Sequence, residues 1–202
     1  MINRSRVVVA VASLALLSLF FTPLWHIGLE APQYPEGLGM HIWVNTVSGT
    51  SEHDLQSINE LNHYVGMKPI TAAAIPELHW MPWIVTALAA LGLLTAAVGR
   101  RGPLLTWLGL AGAVALAGLW DFWRWEYDYG HNLNPQAAIK IPGMSYQPPL
   151  IGSKQMLNIT SHSWPALGGW ITILAVAAVV GVVVLETLRL RGVLAERWPW
   201  AL

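Results

Sequence analysis

Four long, nearly unbroken apolar runs punctuate the chain, and the two segments between them mix polar, aromatic and turn-forming residues. A helix that crosses a bilayer needs roughly 20 mostly apolar residues, because each residue rises about 1.5 Å across a hydrocarbon core about 30 Å thick. Four runs meet that length: Val7 to about Trp25, Met81 to Val98, Leu104 to about Trp120, and Ala166 to Leu185. The second and third are separated only by Gly99-Arg100-Arg101-Gly102-Pro103, which predicts a tight helical hairpin with a basic turn. Asn3-Arg4-Ser5-Arg6 ahead of the first run would also suit a signal peptide. Thr22-Pro23-Leu24-Trp25-His26 offers no small-x-small cleavage site, so the run is read as a retained anchor.

The segments between the runs are too long to be simple connectors. In the first, Ala31 to Met40 is rich in proline and glycine and reads as an ordered loop. His41-Ile42-Trp43-Val44-Asn45-Thr46-Val47 has the alternation of a short strand. Ser51 with Asp54 three residues on predicts the start of a helix that buries Leu55, Ile58, Leu61, Asn62 and Val65. That helix should end at Gly66 to Lys68, ahead of Pro69. In the second segment, Asp121 to Asn132 extends the third run as a helix beyond the bilayer, with Asp121 and Arg124 paired across one turn. Ile141 to Gly152 reads as a proline-stiffened loop.

Composition agrees with a membrane protein: 54% of the 202 residues are hydrophobic and 11% charged, against about 25% charged in a soluble domain. The net charge is zero, which gives no reason to expect a nucleic-acid partner. Arg4, Arg6, Arg100, Arg101, Arg189, Arg191 and Arg197 fall on one side of a four-span arrangement, and Lys68, Arg124, Lys140 and Lys154 on the other. The excess of basic residues marks the cytoplasmic side. Both termini and the central turn are therefore expected in the cytoplasm, and the two segments outside it, in the periplasm if the cell is Gram-negative. Trp25, Trp80, Trp83, Trp120, Trp123, Trp125, Trp164 and Trp170 mark the outer interface. No ionisable residue lies near the middle of a span, which argues against a pump or secondary transporter. Gly109, Gly112, Ala113 and Gly118 in the third span predict close helix packing.

The expected fold is an all-α membrane protein with four transmembrane helices and two ordered outer segments that pack together. Its parts are span one over 1–25, the first outer segment over 26–80, the hairpin over 81–120, the second outer segment over 121–165, and span four with its tail over 166–202.

All seven histidines (His26, His41, His53, His63, His79, His131 and His162) lie in the outer segments. Met40, Met67, Met144 and Met156 lie there too, and Met81 stands at the outer end of the second span, so every methionine but the first is on the outer side. There is no cysteine, which excludes thiolate metal sites and covalently attached haem. Imidazole together with thioether suits copper. His63 and Met67 share a helical face, His131 on the other segment could close a site with them, and Met40-His41 are adjacent. His53 reads as solvated and His26 as interfacial. Haem b is disfavoured because no span contains a histidine. Nothing favours an enzyme: Ser145 and Ser161 lack a nucleophile-elbow context, and Glu36, Glu77, Glu126 and Asp128 form no distinctive pair.

Four motifs carry a resemblance. They are Tyr34-Pro35-Glu36-Gly37-Leu38, Ile58-Asn59-Glu60-Leu61-Asn62-His63-Tyr64-Val65-Gly66-Met67, Trp125-Glu126-Tyr127-Asp128-Tyr129-Gly130-His131-Asn132 and Gly143-Met144-Ser145-Tyr146-Gln147-Pro148-Pro149. They resemble small bacterial membrane proteins encoded beside nitrous-oxide reductase and its copper-maturation factors, over most of residues 23–157. The resemblance implies a membrane accessory role beside a periplasmic copper enzyme or its maturation factor. Within the motifs His63, Met67, His131 and Met144 have metal-ligand chemistry, and His41 lies between them. Two further readings stand beside copper binding: a scaffold that docks a periplasmic reductase, and a quinol-interacting redox subunit.

Overall fold

The computed structural model describes residues 1–190 and Gly192. Arg191 and Arg197, two of the basic residues that set the expected orientation, lie outside the described residues. The chain forms two compact units. One comprises Met1–Ser18, Trp83–Ala115 and the described chain from Trp170; the other comprises Leu19–Pro82 and Leu116–Gly169.

Four helices are long and apolar enough to cross a membrane. The first is α1 (Asn3–Ala15), continued by a 3₁₀ turn over Leu16–Phe20. The others are α3 (Glu77–Val98), α4 (Arg101–His131) and α5 (Leu167–Leu190). In the helical unit Val9, Ala12, Leu16, Ala89, Leu104, Trp107 and Val179 form the core. Polar contacts tie the helices together there, two sets of them at helix ends. Arg6 donates from Nε to the Ala96 carbonyl (2.8 Å) and from Nη2 to that of Ala97 (2.7 Å), meeting free carbonyls at the end of α3. Glu186 accepts from the Ser5 hydroxyl (2.6 Å) and the Ile2 amide (3.0 Å) at the start of α1. Trp107 donates from its indole to the Leu88 carbonyl (2.8 Å).

The expected close packing at Gly109, Gly112 and Gly118 is absent: a Cβ built at each meets nothing within 4 Å. The tight helix crossing is at Gly92, where a Cβ would overlap the Ser13 side chain and lie 2.8 Å from the Trp107 indole nitrogen.

The other unit corrects the all-α expectation. The two inter-helix segments combine into one five-stranded antiparallel sheet, in the order β3-β2-β1-β5-β4. Its strands are β1 (Trp25–Ala31), β2 (Tyr34–Ile42), β3 (Val47–Gly49), β4 (Gly152–Met156) and β5 (Ile159–Pro165). The two segments meet where β1 pairs with β5, from Trp25 opposite Pro165 to Glu30 opposite Thr160. The strand expected at His41–Val47 is displaced, because Trp43 donates its amide to the Thr46 carbonyl and turns the chain between β2 and β3. Trp25, placed at the end of span one by its apolar run, instead opens β1.

Helix α2 (Asp54–Val65) packs on β2 and β3 and buries Ile58 and Asn62, as its spacing predicts. It ends at Gly66, whose φ of 84° is the left-handed cap that glycine adopts without cost. The N-cap is His53 rather than the expected Ser51, although the Asp54 carboxylate still accepts from the Ser51 amide (3.1 Å) and also from that of Gly39 (3.0 Å). The α4 extension presents Phe122, Trp125 and Tyr129 to a core that contains Trp25, Ile27, Met40, Ile58 and Ile70. Asp121 and Arg124 pair as expected, at 3.1 Å.

Candidate functional site

Period-two alternation assigns the sheet two contrasting faces. Trp25, Ile27, Leu38 and Met40 lie on the face that packs against the core. On the opposite face β1 carries His26, Gly28 and Glu30, β2 carries His41 and Gly39, and β5 carries His162 and Trp164. The register sets His26 opposite His41 on one side and Trp164 on the other, and His162 opposite Gly28. The His26 and His41 rings are 5.0 Å apart. Glycine at position 28 keeps the middle of this face low: a Cβ there would lie 3.4 Å from His26 Nε2 and 3.9 Å from His162 Cβ. Gly39 has the same effect beside His26.

Each imidazole is half-buried. Burial pushes the His26 pKa below the ordinary value, and the charges His41 and His162 would carry push it further. Burial also lowers His41. Both rings are thus held in the neutral form that binds metals. His26 Nδ1 is buried without a hydrogen-bond partner. His162 Nδ1 is 2.7 Å from the Ser153 hydroxyl, and its Nε2 lies 3.4 Å from a Glu30 oxygen. Among the described residues no group of three or more His or carboxylate side chains is placed to hold a metal ion. The donor types otherwise suit a cysteine-free copper site: three imidazoles, of which His26 keeps a buried, unbonded Nδ1.

The five residues expected to ligate metal are dispersed among different surroundings. His63 is exposed and lines a shallow hollow beside Thr71. Met67, one helical turn on, lines a different cavity and packs on the core. His131 stacks on Tyr127 with ring centroids 4.0 Å apart, and its Nδ1 donates to the Tyr127 carbonyl. Met144 is half-buried in the loop after α4, its amide bonded to the Ile141 carbonyl. Only His41 falls in the histidine group. The end of α2 and the chain after α4 do meet, through Asn134 to the Gly66 carbonyl and Ile139 to that of Tyr64, both amide hydrogen bonds. Met40 and Met156 are buried core side chains, which is methionine in its gap-filling role.

On sequence alone His26 reads as interfacial and His162 has no role of its own. The alternation in Trp25-His26-Ile27-Gly28-Leu29-Glu30 is the signal for His26, hidden because it begins within an apolar run, whereas His162 joins this face only through the pairing of β5 with β1.

A second feature lies on the core side of the sheet, where an internal cavity of about 400 Å³ is lined by Met40, Asn62, Met67, Glu126, Tyr129 and Tyr146 among others. Glu126 is 0% exposed, and neither carboxylate oxygen has a hydrogen-bond partner. Burial pushes its pKa up to about 8, with Lys154 pulling weakly the other way. The carboxyl is therefore mostly protonated at neutral pH. Its signal was its position: with Phe122, Trp125 and Tyr129 it lies on the inward stripe of α4, where a charged residue is out of place. No family model, curated protein or solved structure matches the chain, and both sites stand on their own side chains.

Proposed function

We propose that the chain is an inner-membrane accessory protein of a periplasmic copper enzyme of the nitrous-oxide reductase type, binding copper on the histidine face of its sheet. The observation that carries this reading is the convergence of His26, His41 and His162 from three adjacent strands around Gly28. Soft Cu(I) and Cu(II) both accept imidazole, and no thiol is present to compete. The arginine distribution supports a sheet unit on the non-cytoplasmic side with both termini inside, the side on which such an enzyme would be assembled. The chain's own role is to hold or pass on the ion rather than to catalyse a reaction.

Purification in mild detergent followed by Cu(I) and Cu(II) competition titration tests the reading. One copper per chain is expected, lost in the His26→Ala/His41→Ala double variant and kept in His63→Ala/Met67→Ala. Binding that survives loss of both sheet histidines, or no binding at all, would overturn it.

One observation favours a docking scaffold as the second reading. Trp120, Trp123, Tyr127 and His131 form a continuous stack on the exposed side of α4, with centroid spacings of 5.2, 5.5 and 4.0 Å. Exposed aromatics commonly anchor partner proteins. Crosslinking of a periplasmic partner that is lost in Trp123→Ala/Tyr127→Ala, with copper binding intact, would favour it.

A further inference from the structure

The cavity of the sheet unit is mainly apolar, yet several buried polar groups lack protein partners along its wall. Besides both oxygens of Glu126, the amide nitrogen of Asn62 and the hydroxyl of Tyr146 are buried and unbonded. Asn62 is 6% exposed and Tyr146 7%, so neither turns outward to water. With the Trp125 indole nitrogen, also buried and unbonded, four polar residues around one cavity depart from the rule that buried polar atoms find partners. Each orphaned group costs about 1–3 kcal/mol when nothing meets it. The sequence positions them deliberately: Asn62 lies on the buried stripe of α2, and Glu126 on that of α4.

The chemistry of the wall selects what meets them. A protonated Glu126 offers one O–H donor and one carbonyl acceptor, Asn62 Nδ2 offers N–H donors, and Tyr146 can donate or accept. Donors outnumber acceptors, so the complement carries carbonyl-type oxygens. Among the described residues no cationic side chain pairs with Glu126 inside the cavity, so a neutral ligand is favoured. The remaining wall is aromatic and thioether: Tyr129, Met40 and Met67 suit a flat ring. Cavities of about 300–1,000 Å³ lined in this way, with a few convergent polar groups, are typical small-molecule sites. A route in exists, because Gln33, Tyr64, Ile139 and Asn158 all line the cavity and are all exposed.

We propose that this cavity binds a neutral aromatic dicarbonyl, the head-group chemistry of a quinone, with its oxygens held by Glu126, Asn62 and Tyr146. The site shares no residue with the histidine face and needs no metal, so it stands or falls separately from copper binding.

Equilibrium dialysis of the full chain in mild detergent, against a protein-free micelle blank, tests the proposal with 2-methyl-1,4-naphthoquinone and the matching hydrocarbon 2-methylnaphthalene. The quinone should bind saturably at one per chain. The hydrocarbon should bind at least about tenfold more weakly, because it leaves the wall's polar groups unpaired. Glu126→Leu should cost the quinone about tenfold and leave the hydrocarbon unchanged or tighter. Should that variant fold poorly, Gln33→Trp/Asn158→Trp alters only exposed rim positions and should block both probes. Equal affinity for the two probes would overturn the proposal, as would absence of saturable binding or full quinone binding by the rim variant.

Discussion

In the helical unit the conspicuous buried polar groups answer partners within the protein. Ser5 and the Ile2 amide hold Glu186, Arg6 meets the carbonyls of Ala96 and Ala97, Ser13 donates to the Val9 carbonyl, and Trp107 donates to that of Leu88. Arg101 Nη2 and Thr172 Oγ1 are the exceptions among the described residues. In the sheet unit His26, Asn62, Glu126, Tyr146 and Ser161 all keep buried polar atoms without partners. Spans in hydrocarbon must satisfy their polar groups internally, because no water can do so. A unit outside the hydrocarbon is free of that restriction. On the proposed reading the sheet unit lies outside the hydrocarbon, and its orphaned atoms, collected around one cavity and one strand face, are where the proposed ligands would bind.

Glycine sharpens the contrast, with the largest expected effect. At Gly130, at the end of α4, a Cβ would overlap the Gln147 backbone, and the Gly130 carbonyl accepts from the Tyr146 amide at 3.0 Å. At Gly109, in the helical unit, a Cβ meets nothing within 4 Å. Gly130→Ala should lower stability by about 2–3 kcal/mol, since backbone cannot move aside for an added methyl. Gly109→Ala should be neutral, or stabilising by up to about 1 kcal/mol through helix propensity. Thermal unfolding in detergent, with limited proteolysis of residues 132–151 as a local readout, separates the two. Equal tolerance at both positions would contradict the close fit of the sheet unit.

Glu126 gives the next effect, read through pH. The folded protein holds the proton up to about 8, whereas the unfolded chain releases it in the ordinary carboxylate range. Between those limits the folded state binds more protons than the unfolded state, so this group makes stability fall as pH rises. Glu126→Gln removes the titration. The difference in melting temperature, variant minus wild type, should therefore grow from about pH 5 to about pH 8 and then level off. A flat difference across that range would mean that the carboxyl is hydrated rather than buried. His26 and His41, both shifted downward, act in the opposite sense and are common to both proteins.

The two units also differ in how much of them the chain reveals when read alone. Four apolar runs, the basic hairpin turn and the helical extension past Trp120 are set by length and composition, and their helices occur where these place them except at the end of span one, which stops at Phe20 and leaves Trp25 to the sheet. Helix α2 was legible too, through the spacing of Ile58 and Asn62 and the glycine at 66. The sheet was not, because its central strand borrows apolar residues from the end of span one and its closing pair is β1 with β5, joined across more than a hundred residues. Local pattern cannot announce such a pairing. The candidate site suffered for the same reason. His63 and Met67 share a helical face, but their surroundings diverge, whereas His26, His41 and His162 are assembled only by strand register.

The smallest effect concerns the hairpin that closes β4 onto β5. Its turn residue Leu157 has a φ of 58°, the one positive φ at a non-glycine position among the described residues. A branched side chain in the left-handed region costs about 1 kcal/mol or more, and asparagine tolerates it far better. Leu157 is 50% exposed, so little apolar burial is lost on replacing it. Leu157→Asn should raise stability by about 0.5–1 kcal/mol, a shift of a few degrees in the sheet unit's melting. Leu157 also lines the cavity, which makes the variant informative twice over. If it melts higher yet binds the naphthoquinone as the wild type does, the leucine is merely a strained turn residue. If stability rises while affinity falls, the strain is retained because the leucine side chain contributes to the ligand's wall.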